Sequence, residues 1–453
     1  LGETGRRLIY HAEDARGRHA NVRVTDLRLI LFANGIGILS IGVEANDISL
    51  RDALWINEMM RKVYPSSGRQ LREGRTPNLV SLRLEGGGDP QTLVEDTFQG
   101  SAMRGFLPPL SKVITELLYF ANYATQEFEP VLDERMIVYT YLSVDPSSVE
   151  ENFDQSEDYE ILMSRLLYVD RYGEDYRYES EFTREQMRQH VYRRWAHQGT
   201  LYGFTSYSNV TMVMGRFDCD LHQLKEGFLV HRMFMSRYYL TVVVALFYRA
   251  TLLDFSEQTA LVSRQLYKRT GARQITEADV RLVGRLMADF QHFSNYWYFS
   301  ELANKDEEIE HFRLQCDAYR LTGMKIEVEQ EIEKMSSLLE RVFQQRNTDS
   351  INRLAMLSMI LGGGAMITGY FGMNFGGWFE KGFFNPERHW ALHWLAIIVV
   401  SSLVIGSILF ACFLVFSNWS DYRSILLPSA RGAQAESLRR TIEAELSDSE
   451  QNS

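Results

Sequence analysis

Hydrophobic positions along this chain change period twice. Near the start Leu27, Leu29 and Leu31 alternate with polar neighbours, and the alternation resumes after Asn34-Gly35 at Ile36, Ile38, Ile41 and Val43. A period of two sends side chains to opposite faces of a strand, and Asn-Gly suits a two-residue hairpin turn, so a β-hairpin is predicted. Ser49 then stands as the N-cap of a helix carrying Leu50, Ala53, Leu54 and Ile56. Residues 66–88 are rich in glycine and arginine and are expected as loop, with further strands at 136–144 and 201–214. The pattern predicts an α+β body with an antiparallel sheet over residues 1–224.

From about Lys225 the period becomes helical. Val242 to Phe247 are uniformly apolar, but Arg237 and Arg249 leave only 11 uncharged residues between them, which fits a buried helix of a soluble body rather than a crossing. Thr276 with Asp279 resembles a capping box, and the aromatic group at 290–299 is expected to pack between helices. Ile309, Phe312, Cys316, Tyr319, Gly323 and Ile326 recur every three or four residues, and Ile332, Met335, Leu339 and Val342 continue the seam. A helix unbroken from Asp306 to Phe371 would reach roughly 100 Å at 1.5 Å per residue, so residues 225–350 are predicted as a helical stalk.

Two apolar runs follow. No charge falls between Leu354 and Phe379, and the 23 residues from Trp394 to Phe416 are also uncharged. Each is long enough to cross a lipid bilayer core of about 30 Å. The predicted division is a first transmembrane helix at 351–374, an extracytoplasmic loop at 375–393, a second span at 394–417 and a tail at 418–453. In the first span Ser358, Gly362, Ala365, Gly369 and Gly372 recur at three and four, forming one face of small residues. Such a face suits close helix packing, and it equally suits the axis of an oligomer with room for a pore. Beyond it, Tyr370 and Phe371 precede Gly372-Met373-Asn374, whose amide carbonyl can accept from a cation's water shell.

Gly372-Met373-Asn374 after Tyr370-Phe371, at the outer end of the first of two C-terminal spans, resembles the signature of the CorA family of divalent-cation channels. The resemblance is specific over about residues 347–419. It implies a cytoplasmic α+β domain, a long helical stalk and two transmembrane helices, assembled as a homopentamer. It implies a selectivity filter of Gly372, Met373 and Asn374, with Asn374 as the metal-binding residue and Glu380 as the acidic pore mouth. Thr348, Ile351, Leu354, Ser358, Gly362 and Ala365 would line the conduit or its gate, Ile351 and Leu354 as the hydrophobic constriction and Thr348 with Asp349 at the inner end. The transported ion would be Mg2+, or Co2+, Ni2+ or Zn2+, and cytoplasmic divalent ions would favour closure. Two departures stand out. Gly362, Gly363 and Gly364 occupy a section where relatives usually carry a bulky residue, a proline and an apolar residue. A lysine run common after the second span is reduced to Arg423 beside Asp421.

Composition narrows the function classes. The net charge of −11 argues against nucleic acid as a partner and is compatible with carboxylates that meet cations. Cys219, Cys316 and Cys412 are scattered and give no disulfide framework or zinc ribbon. Lys334, Arg341, Arg346 and Arg353 before the first span and Arg423 and Arg431 after the second outnumber Lys381 and Arg388 in the loop, which predicts both termini in the cytoplasm of a plasma or inner membrane. The acidic stretch at 150–175 is expected as a solvated face, or as a holder of regulatory divalent ions. The sequence carries no GxxxxGK[ST], GxSxG or HExxH pattern, so no enzyme is expected. His389 and His393 are spaced to bind zinc on a helix. The alternatives to a channel are a proton-coupled zinc or nickel transporter of the same superfamily and a membrane-tethered sensor with a vestigial pore.

Overall fold

The computed structural model describes residues 6–63, 68–86, 89–98, 110–131, 135–150, 153, 157–173, 178–215, 226–271 and 275–372, with scattered helical residues between 391 and 409. It divides into two compact units, Leu1–Leu261 with Arg285–Ile332, and Val262–Gly284 with Glu333–Ser453.

The first unit contains two sheets. One is five-stranded and antiparallel throughout, built from β1 (Arg7–Asp14), β2 (His19–Leu31), β3 (Gly37–Glu44), β4 (Pro77–Glu85) and β5 (Gln91–Thr97) in the order β3-β2-β1-β4-β5. Its packed face carries Leu8, Tyr10, Ala12, Val22, Val24, Val80 and Leu82, the period-two residues of three adjacent strands. The other joins β6 (Val138–Val144), β7 (Val191–Tyr192), β8 (Thr200–Phe204) and β9 (Ser208–Met214) in the order β6-β9-β8-β7, with β6 and β9 parallel. Helix α4 (Glu157–Tyr168) lays Leu162, Met163, Leu166 and Leu167 against Leu201, Val210 and Met212 of this sheet. Each of these side chains removed from water contributes about 1.5–3 kcal/mol. The approach is close at Gly203, where a Cβ would stand 2.4 Å from Leu167 Cδ2.

The predicted hairpin is β2–β3, but its loop is longer than two residues. Leu31 pairs with Gly37, and Phe32 to Ile36 form the connection, closed by Phe32 N–H donating to Ile36 O at 2.9 Å and Gly35 N–H donating to Phe32 O at 3.0 Å. Gly35 takes the left-handed φ of 88° that this loop needs. Asn34 Oδ1 accepts from Ile36 N–H at 3.3 Å within the loop while its Nδ2 donates to Thr251 Oγ1 at 3.0 Å, so its side chain serves both the turn and α7 rather than a two-residue turn alone. The predicted N-cap holds, with Ser49 Oγ accepting from Asp52 N–H at 3.1 Å at the start of α1 (Leu50–Met60). The segment at 66–88 is not one loop. It contains α2 (Gly68–Arg72) and β4, whose buried Val80 and Leu82 supply the alternation that the flanking arginines and glycines obscure. The predicted strand at 201–214 is a hairpin, β8 and β9.

Two short helices, α3 (Lys112–Leu117) and α5 (Ser180–His190), complete the sheet-bearing part. Helix α6 (Glu226–Met233) then leads through one π-helical turn at Phe234–Tyr238 into α7 (Tyr239–Gly271). Among the described residues, Leu229–Lys268 is the helix long and apolar enough to cross a membrane, with mean hydropathy 1.3 and half its apolar window buried. Its apolarity has an internal use. Val242, Ala245, Phe247, Tyr248, Leu252 and Phe255 are buried, Phe247 stacks on Phe32 with ring centres 4.0 Å apart, and Phe255 meets Phe290 edge-on. Helix α8 (Glu277–His292) opens with Asp279 Oδ2 accepting from Thr276 N–H at 2.8 Å, the return half of a capping box.

The helix expected from Asp306 onward is interrupted. Helix α9 (Asp306–Ala318) stops at Tyr319, and Arg320 takes a φ of 56° before α10 (Leu321–Gly372) begins. Tyr319 is buried under the Arg249 guanidinium, 4.8 Å from its ring centre, and fixing it there breaks the seam between Cys316 and Gly323. The uninterrupted element is therefore the 52 residues of α10, roughly 78 Å at 1.5 Å per residue.

Candidate functional site

The predicted pore residues lie on α10 or beyond it. Glycine is the commonest residue of its last turns, among apolar neighbours, and no charged side chain follows Arg353 within it. At 100° per residue, Ile351, Leu354, Ser358, Gly362, Ala365, Gly369 and Gly372 fall within an arc of roughly 80°, with Thr348 just outside it. Ile351 is 64% and Leu354 67% exposed, and Leu357, Leu361 and Met366 on other sides are exposed too. A Cβ placed on Gly362, Gly363 or Gly369 would meet no atom within 4 Å. Packing among the described residues does not require glycine at these positions. An apolar helix surface is not stable facing water, so the end of α10 needs a covering that the described residues do not supply.

Thr348 Oγ1 donates to Gln344 O at 2.9 Å, so its hydroxyl is bonded to its own helix while the residue stays exposed. Gly372 closes α10. Met373, Asn374 and Glu380, together with His389 and His393, lie outside the described residues. Trp394, Leu395, Ile398, Val399, Ile405 and Leu409 of the second apolar run are helical and exposed. Among the described residues no group of three or more His, Cys, Asp or Glu side chains is placed to hold a metal ion.

The α+β body carries buried polar chemistry that no sequence pattern announced. His311 of α9 is 4% exposed and sits within a ring of aromatics, its ring centre 4.4 Å from Tyr202, 4.8 Å from Tyr192 and 4.9 Å from Tyr238. With Asn209, Thr211 and Gln315 it borders a small cavity, where Asn209 Nδ2 donates to Gln315 Oε1 at 2.9 Å. Burial pushes the His311 imidazole down to about 3. The carboxylates on the same helix face outward to their own partners. Glu307 accepts from Tyr238 at 2.8 Å, Glu308 pairs with Arg237 at 2.9 Å and Glu310 accepts from Tyr192. A lone histidine on an amphipathic helix gives no sequence signal, which is why this cluster needed the fold to be seen.

The folded-state value of His311 lies below the unfolded one, so the unfolded chain binds the extra proton between about pH 6.5 and 3. Stability is lost as pH falls through that window, with a slope of up to about 1.4 kcal/mol per unit from this group. Amide exchange of β8 against pH should therefore accelerate more steeply below pH 6.5 in the wild type than in His311→Phe. Equal slopes would mean that His311 reaches water when folded.

Comparison with known proteins places the C-terminal part. The family model described as CorA-like Mg2+ transporter protein matches residues 259–414. No curated protein matches the chain significantly, and neither does any solved structure. The matched segment holds Thr348, Ile351, Leu354, Ser358, Gly362, Ala365, Gly372, Met373, Asn374 and Glu380, and it takes in the whole first apolar run and the second as far as Leu414. Residues 259–414 of the chain are thus similar to the family of CorA-like Mg2+ transporter proteins.

Proposed function

We propose that this chain is one subunit of a membrane channel for divalent cations, Mg2+ foremost, that assembles as a homopentamer around α10. The observation that carries the proposal is the uncharged end of α10, exposed at Ile351, Leu354, Leu357, Leu361 and Met366, where Gly362, Gly363 and Gly369 leave open space among the described residues. Lipid can cover the outer sides, and further copies of the same helix can cover the small-residue face while leaving space between them. Ile351 and Leu354 then narrow the inner part of the conduit, where an apolar constriction can close by dewetting. Mg2+ dehydrates reluctantly, so an entrance that accepts hydrogen bonds from the hydrated ion fits it, and Asn374 with the Gly372 and Met373 carbonyls would form that entrance. Glu380 would concentrate cations at the mouth. Divalent ions on the cytoplasmic side would favour the closed state.

The test is ion uptake by liposomes holding the purified chain, comparing Mg2+, Co2+, Ni2+ and Zn2+ with and without an imposed proton gradient. The expected result is Mg2+ flux that follows its own electrochemical gradient and ignores the proton gradient. Zinc flux driven by protons would replace this reading with a coupled transporter, and no flux for any ion would replace it with a membrane-tethered sensor.

A further inference from the structure

The β8–β9 hairpin presents different chemistry on its two faces. Leu201, Val210 and Met212 meet α4, while the alternate residues Tyr202, Phe204, Asn209 and Thr211 border the cavity together with His311 and Gln315 of α9. Asn209 and Thr211 are two residues apart on β9, roughly 6.7 Å along a strand, and Gln315 and His311 are four apart on α9, roughly 6 Å along a helix. The spacings match. Asn209 Nδ2 donates to Gln315 Oε1 at 2.9 Å as one rung, and Thr211 and His311 fall on the next. Tyr202, the cross-strand partner of Thr211, has its ring centre 4.4 Å from that of His311, as this register requires.

The first rung is a direct hydrogen bond and the second is not. His311 Nε2 and Thr211 Oγ1 are buried, and among the described residues neither has a hydrogen-bond partner. Nearby polar groups are engaged elsewhere. The Tyr238 hydroxyl donates to Glu307, Thr241 Oγ1 donates to Arg237 O at 3.0 Å and Gln315 Nε2 donates to Thr205 O at 3.4 Å. An unpaired polar atom is costly in a protein interior, and ordered water satisfies it where there is room. The cavity has a volume of about 10 Å³, and roughly 10–15 Å³ with two to four polar partners suffices for one water.

We propose that this cavity is a binding site for one water molecule, which bridges His311 Nε2 and Thr211 Oγ1 and completes the joint between α9 and β9. A water both donates and accepts, so it pairs with the hydroxyl and with either tautomer of the neutral imidazole. The Asn209–Gln315 rung and the water-bridged rung together hold α9 in one register on the sheet, close to the break at Tyr319. The site is independent of the transport reading, since all of its residues lie in the first unit.

The experiment uses the full chain in maltoside detergent. A single-particle map that resolves buried waters should show one density within hydrogen-bond distance of both His311 Nε2 and Thr211 Oγ1. Hydrogen exchange then measures what the bridge contributes. Thr211→Val keeps the side-chain shape and removes the hydroxyl, so the α9 amides should exchange about fivefold faster, the usual effect of losing one hydrogen bond. In a His311→Phe background, where the bridge has lost its other end, the same substitution should not speed exchange. A Thr211→Val chain that exchanges as slowly as wild type, or more slowly, would overturn the proposal, because removing an unbridged hydroxyl relieves a cost. Equal acceleration in both backgrounds would overturn it too, as would a map that shows other buried waters and none here. The map is of the wild type, so it decides the matter even where a variant fails to fold.

Discussion

Replacing Glu58 with alanine should destabilise the α+β body by about 3–5 kcal/mol, the usual cost of leaving buried cations without their counter-charge. Its side chain is 3% exposed and serves two cations at once, Lys62 at 2.8 Å and Arg171 at 3.6 Å. Lys62 has a further tie, donating to Arg75 O, and Arg171 donates to Gly74 O, so neither can easily swing into water when the carboxylate is removed. Burial already holds the Lys62 ammonium below its ordinary range, and Glu58 is the first of the groups that oppose that shift. Urea unfolding followed by circular dichroism should show the loss as a lower midpoint at unchanged slope. Glu58→Leu combined with Lys62→Met should recover part of it, because removing both charges costs less than orphaning one. A single variant within about 1 kcal/mol of wild type would show that water reaches this cluster.

That cluster also marks the limit of what the residue pattern could tell. Periodicity found the elements that present one clean face, such as the β2–β3 hairpin, the α1 N-cap at Ser49 and the capped start of α8. It missed β4 because Arg83 and Ser81 interleave with Val80 and Leu82 in a strand covered by neighbours on both edges. It extended the stalk through Tyr319 because the seam residues on either side keep their spacing, while the break depends on Arg249, some 70 residues earlier in the chain. Glu58, Arg61 and Arg171 read individually as solvated surface charges, and only the placement of α1 beside the end of α4 buries them, with Lys62 and Asp170 half-buried at their edge. The helix proposed to line the pore was the opposite case. Its signal is local, an uncharged run with small residues at three and four ending in Gly372-Met373-Asn374, and local signals survive without knowledge of the fold.

Asn374→Ala should lower Mg2+ flux through liposome-embedded protein by about 100-fold while leaving unfolding of the α+β body unchanged. Each amide carbonyl that accepts from the ion's water shell is a hydrogen bond to a charged assembly, worth roughly 1.5–3 kcal/mol, and about 1.4 kcal/mol is tenfold in rate or binding. In a ring built from identical subunits one substitution deletes every copy of that acceptor, so the loss compounds. Alanine cannot reproduce it, because its side chain offers the hydrated ion no acceptor. Asn374→Asp keeps an acceptor oxygen and adds charge at the mouth. It should therefore retain flux and shift preference toward ions that shed water more readily than Mg2+, such as Ca2+. Wild-type flux in Asn374→Ala would remove Asn374 from the entrance, and the Gly372 and Met373 carbonyls would then have to carry recognition alone.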